Sequence, residues 1–178
     1  MYGIEMEPEA RNDYVKYQQN NGHPGLRTEH VGLVVSIENP WLAASPDDRV
    51  YDLTINSPLG LVEYKNPHSV RNTSLSQARQ YSKAFCLESQ EKDGVIVYSL
   101  KRRHDFYYQI QCQLYCDNRE WCDFVLRTEK ELHVQRINRD RNWWEKQVPK
   151  LKSFYFDALL PELACPRLGK GGIREPET

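Results

Sequence analysis

Long hydrophobic runs are missing from this 178-residue chain. Its longest uncharged apolar stretch, Val31 to Ile37, is far below the roughly 20 residues a membrane-spanning helix needs. No basic-then-apolar leader opens the sequence, so the chain reads as intracellular, nuclear or cytoplasmic, with no membrane partner. Cysteine is scarce: five residues, an odd number in an unexported chain, read as reduced thiols rather than a disulfide framework. They form no tight four-cysteine set for an iron–sulfur cluster, and the five histidines show no His-x-x-x-His zinc pattern. Repeats and low-complexity tracts are absent. An excess of one charge is absent as well, with 24 Lys+Arg against 25 Asp+Glu.

What is there is a sequence with 39% hydrophobic and 11% aromatic residues and a mean hydropathy of −0.76. That is hydrophilic but too apolar for disorder, and the length suits one domain, residues 1–165, with a polar tail over 166–178. The balanced total hides a gradient. Residues 1–63 carry four basic and ten acidic side chains, whereas residues 101–152 carry twelve and eight. Such a division suits a protein that gathers carboxylates in one place and meets phosphates in another.

Ala10, Tyr14 and Tyr17 predict a helix over about 8–19, with Pro8 tolerable in its first turn. Strands are expected over Val31 to Ile37, Trp41 to Ala44, Arg49 to Ile55 and Leu61 to Lys65, the last two joined through NSPLG as a hairpin or meander. A helix over about 74–86 and a strand over Gly94 to Tyr98 follow. Phe106, Tyr107, Ile110 and Leu114 trace a helix over about 104–117. Two strands, Trp121 to Arg127 and Leu132 to Ile137, precede a helical stripe from Trp144 to Leu159 that Pro149 is expected to kink or restart. The pattern predicts an α/β (α+β) domain with a central mixed sheet flanked by helices.

The stretch with most chemistry is SPDD followed by GLVEYKNP. Side chains at i and i+2 of a strand share a face, so Glu63 and Lys65 point the same way, and pairing of the two strands brings Asp47 near Glu63. Two carboxylates at one point repel unless a hard cation such as Mg²⁺ or Mn²⁺ sits between them. A lysine beside that cation can orient water or neutralise a phosphoryl oxygen, so Asp47, Glu63 and Lys65 together suit metal-assisted phosphodiester hydrolysis.

The blocks GIEMEPEARNDY, SPDD, GLVEYKNP, FYYQIQCQLY, WCDFVLRT, LHVQRINRDRNWWEK and LKSFYFDALLPEL, in this order and spacing, resemble the YqaJ-like viral recombinase domain, the lambda-exonuclease-type branch of the PD-(D/E)XK nucleases. The likeness spans about residues 3–163 and places Gly3, Glu7, Ala10 and Tyr14 on the family's Gly-x-x-x-Glu-x-x-Ala-x-x-x-Tyr helix. It implies a restriction-endonuclease-like core with Asp47, Glu63 and the Tyr64 backbone carbonyl as metal ligands. It further implies Lys65 as the residue that activates water and Glu7 as support for a second metal. Gln109 is the implied helix glutamine near the site. On the helical wheel Gln109 and Gln113 fall on one flank and Gln111 on the other, with Gln109 preferred and Gln111 second.

The implied activity is Mg²⁺-dependent DNA hydrolysis, 5′ to 3′ from duplex ends, in recombination or a viral or mobile element. An endonuclease of the same fold and a non-catalytic DNA-binding module are the alternatives. DNA is the implied partner, with a homotrimer and a single-strand annealing or recombinase partner by family resemblance. Arg71, Lys101, Arg102, Arg103 and Gln111 are expected as DNA contacts, with Lys83, Arg136, Arg139, Arg141, Lys146, Lys150 and Lys152 as further basic candidates. Trp143 and Trp144 are read as core residues, and Cys112, Cys116 and Cys122 as buried free thiols. Two departures from the family stand out. Asp48 replaces the usual glycine, which predicts a strained positive-φ turn and an extra carboxylate beside the metal. The family also carries further helical sequence before Gly3, whereas Met1 begins almost on top of that helix here, so a fragment or a trimmed gene product is expected, which bears on capture of a DNA end.

Overall fold

The computed structural model describes residues 2–81 and 84–166; Lys83 and residues 167–178 of the expected tail lie outside the described residues. The chain divides into two compact units, Met1–Arg139 and Asp140–Thr178.

In the first unit α1 (Tyr2–Glu5) and α2 (Glu7–Asn20) are followed by β1 (Arg27–His30), the short β2 (Val34–Val35) and β3 (Ala43–Ala44), β4 (Asp48–Tyr51) and β5 (Leu59–Lys65). Then come α3 (Leu75–Tyr81), β6 (Leu87–Lys92), β7 (Val95–Leu100), α4 (Asp105–Cys116), β8 (Trp121–Arg127) and β9 (Leu132–Asn138). Five strands form one sheet in the order β1-β4-β5-β8-β9. Its neighbours are antiparallel except β5 and β8, which run parallel and are joined by the long crossover through α3, the β6–β7 hairpin and α4. This is the mixed sheet flanked by helices that the hydrophobic pattern predicts.

Central β5 and β8 are buried along nearly their whole length, as strands covered on both faces must be. One face carries Val50, Val62, Tyr64, Trp121 and Val125, packed with Ala10 and Tyr14 of α2. Residues of the opposite parity, Leu61, Glu63, Cys122 and Phe124, meet α4, whose Phe106 ring lies 6.2 Å from that of Phe124. Gly60 is dictated by close approach: a Cβ there would stand 2.3 Å from the Trp121 ring. Gly60→Ala is therefore expected to cost about 2–3 kcal/mol, read as a lower urea midpoint.

Several expectations need correction. Val31 to Ile37 contributes only the two residues of β2, because Leu33, Val35 and Ile37 are exposed rather than packed. The polar RTEH of β1, which the hydrophobic pattern does not mark as a strand, pairs with the edge of β4 opposite β5. The expected Arg49 to Ile55 strand stops at Tyr51, where Asp52 accepts from Thr54 N and Oγ1 and turns the chain. In the second unit α5 (Arg141–Ser153) runs through Pro149 and continues as a π-helical segment, Phe154–Leu159, and α6 (Leu160–Ala164). Asp140 caps α5 by accepting from Trp143 N, and Trp144 is buried, as its reading as a core residue requires. No helix among the described residues is long and apolar enough to cross a membrane.

Candidate active site

The site forms where β4 begins and β5 ends. The antiparallel register pairs Asp48 with Val62, so Asp47, one step further, stands opposite Glu63. Its Oδ2 accepts from Tyr64 N at 2.7 Å. Glu63 is 1% exposed, on a strand otherwise apolar at its centre, and three donors hold it. Lys65 Nζ and Gln109 Nε2 donate to Oε1 at 2.5 and 2.7 Å, and Gln113 Nε2 donates to Oε2 at 2.7 Å. Lys65 Nζ also sits 4.7 Å from the centre of the Phe106 ring, which screens one side of it from water.

Asp47, Glu63, Lys65 and Gln109 are thus brought together, and the Gln109 flank of α4, not the Gln111 flank, faces the site. Gln113 shares that flank, and nothing in the sequence pattern distinguishes it from a glutamine that faces solvent. It binds Glu63 and also donates to Ser45 O at 3.2 Å, tying the turn that carries Asp47 to the strand that carries Glu63. Glu7, in the first turn of α2, stands near enough for its charge to act on Asp47.

Burial first, then the Glu63 carboxylate and to a smaller extent Glu7, push Asp47 up to about 7 from an ordinary 3.8, against the pull of the Tyr64 N–H and Lys65. The folded chain therefore holds a proton that the unfolded chain releases between those two values. In metal-free protein this contribution to stability is present at low pH and is lost as pH rises through about 7. Thermal denaturation in EDTA at pH 5 and pH 8 is expected to show a larger loss for the wild type than for Asp47→Asn, with equal losses refuting the shift.

Asp48 lies elsewhere from where the family comparison put it. Its backbone is not among the described non-glycine residues with positive φ, and its carboxylate is on the α2 face of the sheet. There Arg11 binds it through Nε and a terminal nitrogen at 2.5 and 2.7 Å, and Tyr64 Oη donates to it at 3.0 Å. The expected strain and the extra carboxylate beside the site are both absent, because consecutive strand residues face opposite ways.

The expected DNA contacts do not converge here. Gln111 is 1% exposed and donates to Asn138 O, which leaves it no reach to a phosphate. Arg71 turns back to His68 O, and Lys101 Nζ donates to Phe85 O. Arg102 lies over the Tyr107 ring at 5.1 Å, while Arg102 and Arg103 are exposed just ahead of α4. Arg136 is held by Asp123 and lies 3.8 Å over Trp121, and Arg139 donates to Asn118 Oδ1.

The donor set is one of hard oxygens. Among the described residues no group of three or more His, Cys, Asp or Glu could hold a metal, so two side-chain carboxylates are the core of any cation site here. Their mutual repulsion, recorded in Asp47, is what a cation would relieve. Glu63 has accepted three of roughly four hydrogen bonds open to a carboxylate. Gln113 Oε1 on the same clamp is buried without a partner. The residues present fit a small hard divalent ion.

No curated protein is matched by the sequence. Among solved structures, the alkaline exonuclease LHK-Exo from Laribacter hongkongensis is similar, with a TM-score of 0.62 and 22% identity over 95% of this chain and 73% of that one. The same enzyme in complex with dAMP is similar to the same degree over 72% of its chain. At that identity the likeness is one of fold. The model of the YqaJ-like viral recombinase domain matches residues 1–120, a stretch that includes Glu7, Asp47, Glu63, Lys65 and all of α4. By that match, over more than half of its length, the chain belongs to the YqaJ-like viral recombinase domain family.

Proposed function

We propose that this protein is a Mg²⁺- or Mn²⁺-dependent deoxyribonuclease of the PD-(D/E)XK type that degrades duplex DNA from its ends, 5′ to 3′, during recombination. The observation that carries the reading is Asp47 opposite Glu63 with Lys65 Nζ on Glu63 Oε1. Family membership and the exonuclease fold of the similar structures support it. Asp47, Glu63 and the Tyr64 carbonyl would hold the cation, with Glu7 available to a second. When bound, the cation would offset the carboxylates' charge and polarise the scissile phosphate.

The chain's own groups do the rest. Gln109 and Gln113 fix the Glu63 carboxylate in one rotamer. Lys65, anchored on Glu63, presents its remaining N–H bonds to an attacking water and to the phosphoryl oxygen that gains charge. The water oxygen bonds to phosphorus as the bond to the 3′ oxygen breaks, leaving a 5′-phosphate and a 3′-hydroxyl. A homotrimer and an annealing partner belong to the same proposal.

Linear 5′-phosphorylated duplex and closed circular DNA, each with Mg²⁺ or EDTA, test it. Loss of the linear form alone, only with Mg²⁺, is the expected result. Cleavage of the circle would make the protein an endonuclease. A gel shift with both DNAs intact would make it a binding module.

A further inference from the structure

Helix α4 presents Gln109, Cys112, Gln113 and Cys116 at the i, i+3, i+4, i+7 spacing of a single stripe. The two glutamines hold Glu63, and the two cysteines stand one helical turn apart on the same stripe. Neither is in a disulfide; Cys116 is buried while Cys112 is half-buried, so the pair is reached from the Cys112 side. The neighbouring Cys116 thiol, able to donate to it, holds Cys112 below its ordinary range, with burial opposing. The same pairing, with burial, pushes Cys116 up. The helix thus preforms a thiol beside a sulfur disposed to be thiolate, next to a site otherwise built of hard oxygens.

Two cysteine sulfurs one helical turn apart, once both have given up their protons to a bound ion, are donors for soft ions of low coordination number and are poor ligands for Mg²⁺. We propose that Cys112 and Cys116 form a two-sulfur site for a soft, thiophilic ion, and that filling it disturbs the clamp of Gln109 and Gln113 on Glu63. The second half rests on the nuclease reading; the first does not.

Phenylarsine oxide is the probe. Both thiols add to its trivalent arsenic, two As–S bonds form, and the oxide oxygen leaves as water with the two thiol protons, with no change of oxidation state. Intact-mass spectrometry is expected to find one adduct that survives excess monothiol and is released by dithiothreitol. Cys112→Ser and Cys116→Ser each lose it, and Cys165→Ser keeps it. An adduct that persists in Cys112→Ser, or none retained by the wild type, overturns the site. Cys112 is half-buried, so its serine variant decides the matter even where Cys116→Ser misfolds. The arsenical is expected to lower nuclease activity about tenfold or more in the wild type and not in Cys112→Ser. A fully loaded wild type with unchanged activity overturns the coupling. Absence of nuclease activity before treatment refutes the functional reading instead, and the mass result still decides the site.

Discussion

Glu63→Gln is expected to lower nuclease activity about 10³-fold or more while leaving the protein folded. The substitution is isosteric and keeps an oxygen for Lys65 Nζ and Gln109 Nε2. Its new amide nitrogen meets Gln113, and a flip of the Gln113 amide would offer Oε1, which has no partner in the wild type. Loss of the Glu63 charge also removes one of the forces that push Asp47 up. The metal-free variant should therefore melt no lower than the wild type, and the rise in Tm that Mg²⁺ gives the wild type should vanish. That combination separates a functional carboxylate from a structural one. Activity within tenfold of wild type would remove Glu63 from the reaction.

Asp123→Ala should do the reverse. Asp123 lies on β8, on the α2 face of the sheet, 1% exposed. It accepts from Tyr14 Oη at 2.7 Å, from Gln18 Nε2 at 2.8 Å, and from Arg136 through Nε and a terminal nitrogen at 2.9 and 3.0 Å. Alanine leaves all of these donors without their acceptor, among them a guanidinium confined over Trp121. Breaking such a pair from one side costs about 3–5 kcal/mol, and the partial exposure of Arg136 argues for the lower end. Urea denaturation should show that loss, with Tm lower by roughly 6–12 °C. Asp123→Asn, which keeps an acceptor, should cost clearly less. A loss below about 1 kcal/mol for alanine would mean that the network is solvated and dispensable.

Glu63 and Asp123 show how far the sequence could be read. Each is an acidic residue in a strand of apolar neighbours, and only the Lys65 two positions on marks Glu63 as different. That i, i+2 relation survives folding because a strand's period is fixed by backbone geometry alone. The helix over 105–116 and the pairing of β8 with β9 were legible for the same reason, as were α2 and the antiparallel run of β4 into β5. The polar strands RTEH and LESQEK were not, because an edge strand or an exposed hairpin has little to bury and so little apolar signal. Asp93-Gly94, with both residues at positive φ, was the available sign of the second.

The sequence by itself determined the class of fold, the pairing of Asp47 with Glu63 and Lys65, and the two alternative flanks of α4, since all of these follow from local period and turn chemistry. Only the tertiary structure decided that the Gln109–Gln113 flank meets Glu63 and that Asp48 is a buried anchor for Arg11. It also committed Lys101 and Arg136 to contacts within the protein. Those outcomes depend on how α2 and α4 are turned against the two faces of one sheet, a matter of packing between residues tens of positions apart that no local pattern records.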